Sequence, residues 1–130
     1  MTDRAATVEF LKTELTALFP TNGVRAKIAR VIGEDYILVR FTYYTEASQW
    51  ASGIIENDPA FMLFMININK DGSAEIEYPS THCNRVMRRN GPVKFRKING
   101  KTEHDAAVKL VAWFKKNQAA ILNAPNEPRF

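Results

Sequence analysis

Three groups of residues in this 130-residue chain have the types needed for chemistry or for tight recognition. His82-Cys83 is the only adjacent pair of soft or nucleophilic groups, and the one other histidine is His104. A cysteine nucleophile needs a base within hydrogen-bonding reach and usually a third, orienting group, so Cys83 reads as a small, partly buried residue. Glu75 and Glu77 stand two apart, which on a strand puts both carboxylates on one side, as a paired acid and base require. Facing Asn67 and Met65 across a hairpin, with Asn69 beyond, they read as solvated surface. The third group is Arg85, Arg88, Arg89, Lys94, Arg96, Lys97 and Lys101, seven cations within seventeen residues and no acid among them. Forked guanidinium groups presented together recognise phosphates and carboxylates.

Other chemistries lack residues of the right spacing. Two histidines and one cysteine show no zinc-type pattern, and Lys70-Asp71-Gly72 lacks the acidic repeat of a calcium loop. No glycine-rich phosphate loop is present; five of the six glycines sit at predicted turns. The expectation is a non-enzymatic protein without metal or cofactor. One cysteine rules out an internal disulfide framework and suits a reducing cytosol. The longest apolar run ends after eight residues, far short of a membrane span of about 18.

The formal net charge of +4 is unevenly distributed. Residues 1–79 hold seven Lys/Arg against eleven Asp/Glu, residues 80–101 hold seven Lys/Arg and no acid, and residues 102–130 come to +1. A local excess of this kind bears on partners rather than on fold.

Positioning these groups falls to an α+β arrangement in one domain, with residues 1–2 and 124–130 loose. Val8, Leu11, Leu15 and Leu18 lie three and four apart and predict a helix over 3–19, stopped by Pro20-Thr21-Asn22-Gly23. Two strands follow, about 24–32 and 36–44. Their parity requires an even loop, read here with Glu34-Asp35 at the tip, so that Ile32 meets Ile37, Ile28 meets Phe41 and Ala26 meets Tyr43. The opposite row then carries Arg25, Lys27, Arg40, Thr42 and Tyr44.

Thr45 caps a short middle helix to about Asn57, expected to cover the apolar half of the next strand. In that strand Met62, Phe64, Ile66 and Ile68 form an unbroken apolar row, while Phe61, Leu63 and Met65 give way to Asn67 and Asn69. Only an odd loop after it puts like with like. Lys70-Asp71-Gly72, with Gly72 at positive φ, pairs Ile68 with Ala74, Ile66 with Ile76 and Phe64 with Tyr78. Further on, Val93 and Phe95 are expected to point inward, with Lys94 and Arg96 outward; Ile98 is out of phase and calls for a bulge near Lys97 or a strand that ends early. Thr102 caps a last helix whose inner stripe is Ala107, Leu110, Val111, Phe114, Gln118 and Ile121, with Lys109, Lys115 and Lys116 elsewhere and Trp113 half covered. The sum is a largely antiparallel sheet of four to five strands, with the first and last helices on one face and a short helix between.

The opening Glu9-Phe10-Leu11-Lys12, Leu15, Leu18-Phe19-Pro20, followed by a strand with Arg25 and Lys27, resembles the start of small phage- and plasmid-borne domain proteins. The resemblance covers about the first thirty residues and implies a mobile-element protein acting in the cytoplasm of a bacterial host. Proteins of that origin bind nucleic acid or, like anti-CRISPR inhibitors, disable a host defence complex by occupying a site.

The expected function is recognition of nucleic acid or a ribonucleoprotein through Arg85, Arg88, Arg89, Lys94, Arg96, Lys97 and Lys101, joined by Arg25, Lys27, Arg40 and Tyr44 as a broad basic platform with an aromatic for stacking. Two alternatives stand beside it: a protein-directed inhibitor or adaptor using an apolar or basic surface, and internal pairing of these cations with the acids of residues 1–79.

Overall fold

The computed structural model describes residues 4–19, 23–44, 60–81, 83–84 and 93–124. Two helices, α1 (Arg4–Leu18) and α2 (Glu103–Leu122), lie over a sheet of β1 (Arg25–Val31), β2 (Glu34–Tyr44), β3 (Ala60–Asn69), β4 (Ser73–Pro79), the two-residue β5 (Cys83–Asn84) and β6 (Val93–Asn99). The five long strands are antiparallel in the order β1-β2-β3-β4-β6, and β5 pairs with the start of β3. The middle helix expected over 45–57, the cations Arg85, Arg88 and Arg89, and His82 all lie outside the described residues.

Both helices cover one face of the sheet, and the buried row of each inner strand points at them. Ile37, Val39, Phe41 and Tyr43 of β2 line up with Met62, Phe64, Ile66 and Ile68 of β3, then with Ala74 and Ile76 of β4. Phe19, just past α1, and Phe114 of α2 close over Phe41 and Phe64, whose rings stack with centroids 4.7 Å apart. Offset aromatic packing of this kind adds about 1 kcal/mol per pair beyond the area buried.

The helices run parallel, as four contacts between them show. Arg4 grips Glu103 with Nε and a terminal nitrogen at 2.6–3.1 Å, and Thr7 Oγ1 sits 3.0 Å from His104 Nδ1. Further along, Lys115 pairs with Glu14 at 3.3 Å, and Gln118 Nε2 donates to the Leu18 carbonyl at 2.7 Å. Thr7 is buried at 1% exposure, and His104 satisfies its hydroxyl.

The second hairpin follows its apolar pattern. Ile68 pairs with Ala74 and Ile66 with Ile76 around Lys70-Asp71-Gly72, and Gly72 takes φ +91°. The β3–β4 ladder ends at Met65 and Glu77, one step before the expected Phe64–Tyr78 pair.

The first hairpin is corrected. Its tip is Ile32-Gly33, so Ile28 pairs with Ile37 and Ala26 with Val39, and Ile32 is 97% exposed instead of meeting Ile37. Both tip residues have positive φ, 53° and 81°, the left-handed pair that a two-residue hairpin loop uses to match strand twist. The shorter hairpin sets Arg30 opposite Asp35, joined at 2.8 Å, with Arg4 and Lys70 at 3.5 and 3.9 Å from the same carboxylate.

β6 is corrected too. Its ladder to β4 runs without a bulge from Ser73–Asn99 to Pro79–Val93, and Ile98, opposite Ala74, is the residue that turns inward, 9% exposed. Lys94 and Arg96 share its side, the helix side, opposite Tyr78 and Ile76, while Val93 and Phe95 point to the other face, the open face, which neither described helix covers, at 39% and 58% exposure. Matching Ile98 to the core outweighs burying Val93 and Phe95, because an edge strand meets the helix layer only at its end nearest α2.

Candidate functional site

The expected platform of cations is divided by the sheet. Arg25 and Lys27 of β1 and Arg40 of β2 lie on the open face, as does Lys97 at the far edge. Lys94 and Arg96 lie on the helix face, and Lys101 follows the end of β6. Tyr44 ends β2 in the open-face row; its side chain lies outside what is described, as do Arg85, Arg88 and Arg89. None of the seven described cations forms an ion pair within 4.0 Å of an acid among the described residues. Internal pairing with the early acids does not account for them there. The acids of the first hairpin and of the helix starts engage Arg4, Arg30, Lys70 and Lys109 instead.

On the helix side, α2 adds what the sequence pattern did not assign. Lys109, Trp113 and Lys116 recur four and three apart, one stripe of the helix. Lys109 Nζ reaches the carbonyl of Asn99 in β6 at 3.0 Å, and the Trp113 ring lies 5.1 Å from Tyr78, the residue opposite Lys94. The stripe therefore faces β6. We call the surface between them the β6–α2 groove: register and helix periodicity put Lys94 and Arg96 on its strand wall, about 6.7 Å apart along it, and Lys109 and Lys116 on its helix wall, about 10.5 Å apart. Trp113 and Tyr78, both half-buried, form the floor. Trp113 is locked edge-on against Phe114 at 5.0 Å. Residues 106–124 and 80–101 contain no acid, so among the described residues the one carboxylate at this groove is Asp105, at its lower end, 3.5 Å from Lys109. The signal that could have found this wall was present: 109, 113 and 116 share a helix side, and acids stop at Asp105.

The lower end is held rigidly. The Thr102 hydroxyl caps α2 by accepting from the Asp105 N–H at 3.1 Å, and Asp105 in return accepts from the Lys101 N–H at 2.8 Å. That backbone hydrogen bond, ahead of the nearby Lys109 charge, holds the Asp105 carboxyl below its ordinary range. Gly72 accepts from the Gly100 N–H at 2.8 Å, and a side chain on Gly100 would come within 2.7 Å of Ala106 Cα. This close approach seats the first turn of α2 against β6 and so sets the groove's width.

The other groups with chemical potential do not converge. Glu75 and Glu77 share the open face, beside Lys97 and Phe95, but His104 is on the helix side and bonds Thr7. Cys83 is on β5 opposite Phe61. Among the described residues no three His, Cys, Asp or Glu gather as a metal would need, and no described helix is long and apolar enough to cross a membrane.

No family model matches this sequence, and neither a curated protein nor a solved structure matches it.

Proposed function

We propose that the protein binds nucleic acid, alone or within a protein–nucleic-acid complex, in the groove between β6 and α2. The observation that carries this reading is an acid-poor channel with cations on both walls, three of the four without an acid partner among the described residues, over a fixed aromatic floor. Phosphates take the two cationic rows, and Trp113 and Tyr78 offer ring faces to bases. In sequence, Arg85, Arg88 and Arg89 precede β6 in the same acid-free run. Lys101 lies at the other end. The chemistry is recognition without a covalent step.

A second reading, a protein-directed inhibitor or adaptor, draws on Val93 and Phe95, which leave an apolar strip exposed on the opposite face of the same strand. The mobile-element resemblance is compatible with both.

Binding of labelled single-stranded and duplex oligonucleotides across a salt series separates them. The wild type is expected to bind with a log K against log salt slope near −4, about −0.9 per phosphate contact on duplex and less on single strands. A Lys94→Ala/Arg96→Ala variant loses about two of those contacts, and an Arg85/Arg88/Arg89 triple Ala variant loses more. Absence of binding at low salt by the wild type overturns the nucleic-acid reading and leaves the protein-directed one.

A further inference from the structure

We propose that the open face of the sheet is a dimer interface, at which a second copy of this chain packs sheet against sheet about a twofold axis along β3. One row, Arg25–Arg40–Met65–Glu77–Phe95, crosses all five long strands. From β1 to β6 it reads cation, cation, thioether, carboxylate, aromatic. With strands about 4.8 Å apart its ends are separated by about 19 Å, and Met65 stands at the midpoint.

Turning this face over about β3 exchanges the two ends. Arg40 then meets the partner subunit's Glu77, Arg25 meets the partner subunit's Phe95, and Met65 meets its own copy. Each off-axis contact occurs twice, as an isologous interface requires, and the Met65 pair sits once on the axis. The row is complementary to itself, with a charge-assisted pair, a cation over a ring and an apolar centre. The adjoining row, Lys27–Leu38–Asn67–Glu75–Lys97, adds an amide pair at Asn67. In this row Leu38 meets the partner subunit's Glu75, which gains no counter-charge there, and the one like-charge meeting, Lys27 with the partner subunit's Lys97, falls at the rim, where water and salt screen it.

Within a single chain this row is poorly satisfied. Arg25 and Arg40 are direct cross-strand neighbours of like charge, an arrangement that costs stability. Neither they nor Glu75 and Glu77 make an ion pair among the described residues. Phe95 is 58% exposed beside Val93, both on this face. The second copy supplies the missing counter-charge to Arg40 and Glu77, and the partner subunit's Arg25 covers the ring.

The sheet's two edges do not offer the same solution. β1 carries Arg25, Lys27 and Arg30, β6 carries Lys94, Arg96 and Lys97, and neither strand holds an acid. Edge-to-edge pairing of copies would set cations against cations, which is how natural sheets discourage it. The β6–α2 groove lies on the opposite side of the sheet, so the dimer leaves both grooves facing outward and its test is independent of the nucleic-acid reading.

Sedimentation equilibrium of the full chain tests the interface without nucleic acid present. The expected result is a concentration-dependent mass approaching twice the 14.8 kDa chain. Arg40→Glu and Glu77→Arg each weaken association on the order of 100-fold, by setting like charges together at two symmetric contacts. The double variant Arg40→Glu/Glu77→Arg restores it. Phe95→Ser, at a position too exposed to threaten folding, also weakens association, and circular dichroism verifies that each variant is folded. A wild-type mass of one chain at all concentrations, a dimer indifferent to both single reversals, or no recovery in the double variant overturns the proposal.

Discussion

Two cationic regions, on opposite faces of one sheet, differ in what stands among the charges. On the open face Arg25, Lys27 and Arg40 share cross-strand rows with Glu75, Glu77 and Phe95, so the surface carries both signs of charge and suits a partner with the same pattern reversed. In the groove Lys94, Arg96, Lys109 and Lys116 stand on two walls above Trp113, with Asp105 only at one end, and the surface suits an extended polyanion. The same residue types carry different functional meanings because Coulombic selection acts on the local sum of charge and not on any one cation.

That contrast can be broken most severely where the groove is seated. Gly100→Ala drives a methyl group into the backbone of Ala106 and is expected to cost on the order of 3 kcal/mol in urea unfolding. Next in size, Lys94→Ala/Arg96→Ala should weaken nucleic-acid binding at low salt by about 30- to 100-fold and flatten the salt slope by about 1.8 on duplex DNA. Arg25→Ala/Arg40→Ala should change it by less than about threefold, measured by fluorescence anisotropy. Equal losses in both variants would erase the distinction between the regions.

A smaller effect is confined to the open-face hairpin. Ile32 holds φ 53° with its side chain in water, a conformation that a β-branched residue adopts at a cost of about 1–2 kcal/mol. Ile32→Asn should raise stability by about 1 kcal/mol in thermal or urea melts and leave groove binding unchanged.

The smallest effect is a pH dependence at the groove's lower end. The Asp105 carboxyl is held below its unfolded value of about 3.9 by the Lys101 N–H, so its stabilisation is fully present above that value and is lost as pH falls through the folded one. Asp105→Asn should therefore lower the urea midpoint near pH 7, and the gap to wild type should close toward about pH 2.

Much of the fold was legible where a pattern had a single solution. The unbroken row from Met62 to Ile68 and its return through Ala74 and Ile76 allowed one loop parity, and the β3–β4 pairing follows it. Thr102 with Asp105, and the stripe through Leu110, Val111 and Phe114, announced α2 and its buried side. In the β1–β2 hairpin alternation settled the faces but not the tip, because moving the turn by two residues leaves every side chain on the same face. The Arg30–Asp35 pairing belongs to the shorter solution. β6 misled for a related reason: an edge strand with cations and apolar residues on both sides has no alternation strong enough to state its own phase, and Ile98 at the seat of α2 decided it.

The candidate groove was legible only by half. The sequence by itself determined that seven cations follow Tyr78 without an acid, that α2 loses its acids after Asp105, and which residues of the inner strands go to the core. Tertiary structure alone decided that Lys94 and Arg96 face Lys109, Trp113 and Lys116, while Arg25, Lys27, Arg40 and Lys97 look the other way. The reason is physical. Side-chain periodicity is a local property of each element, whereas the parallel docking of two helices some hundred residues apart, and the phase of an edge strand beneath one of them, are settled by contacts between elements.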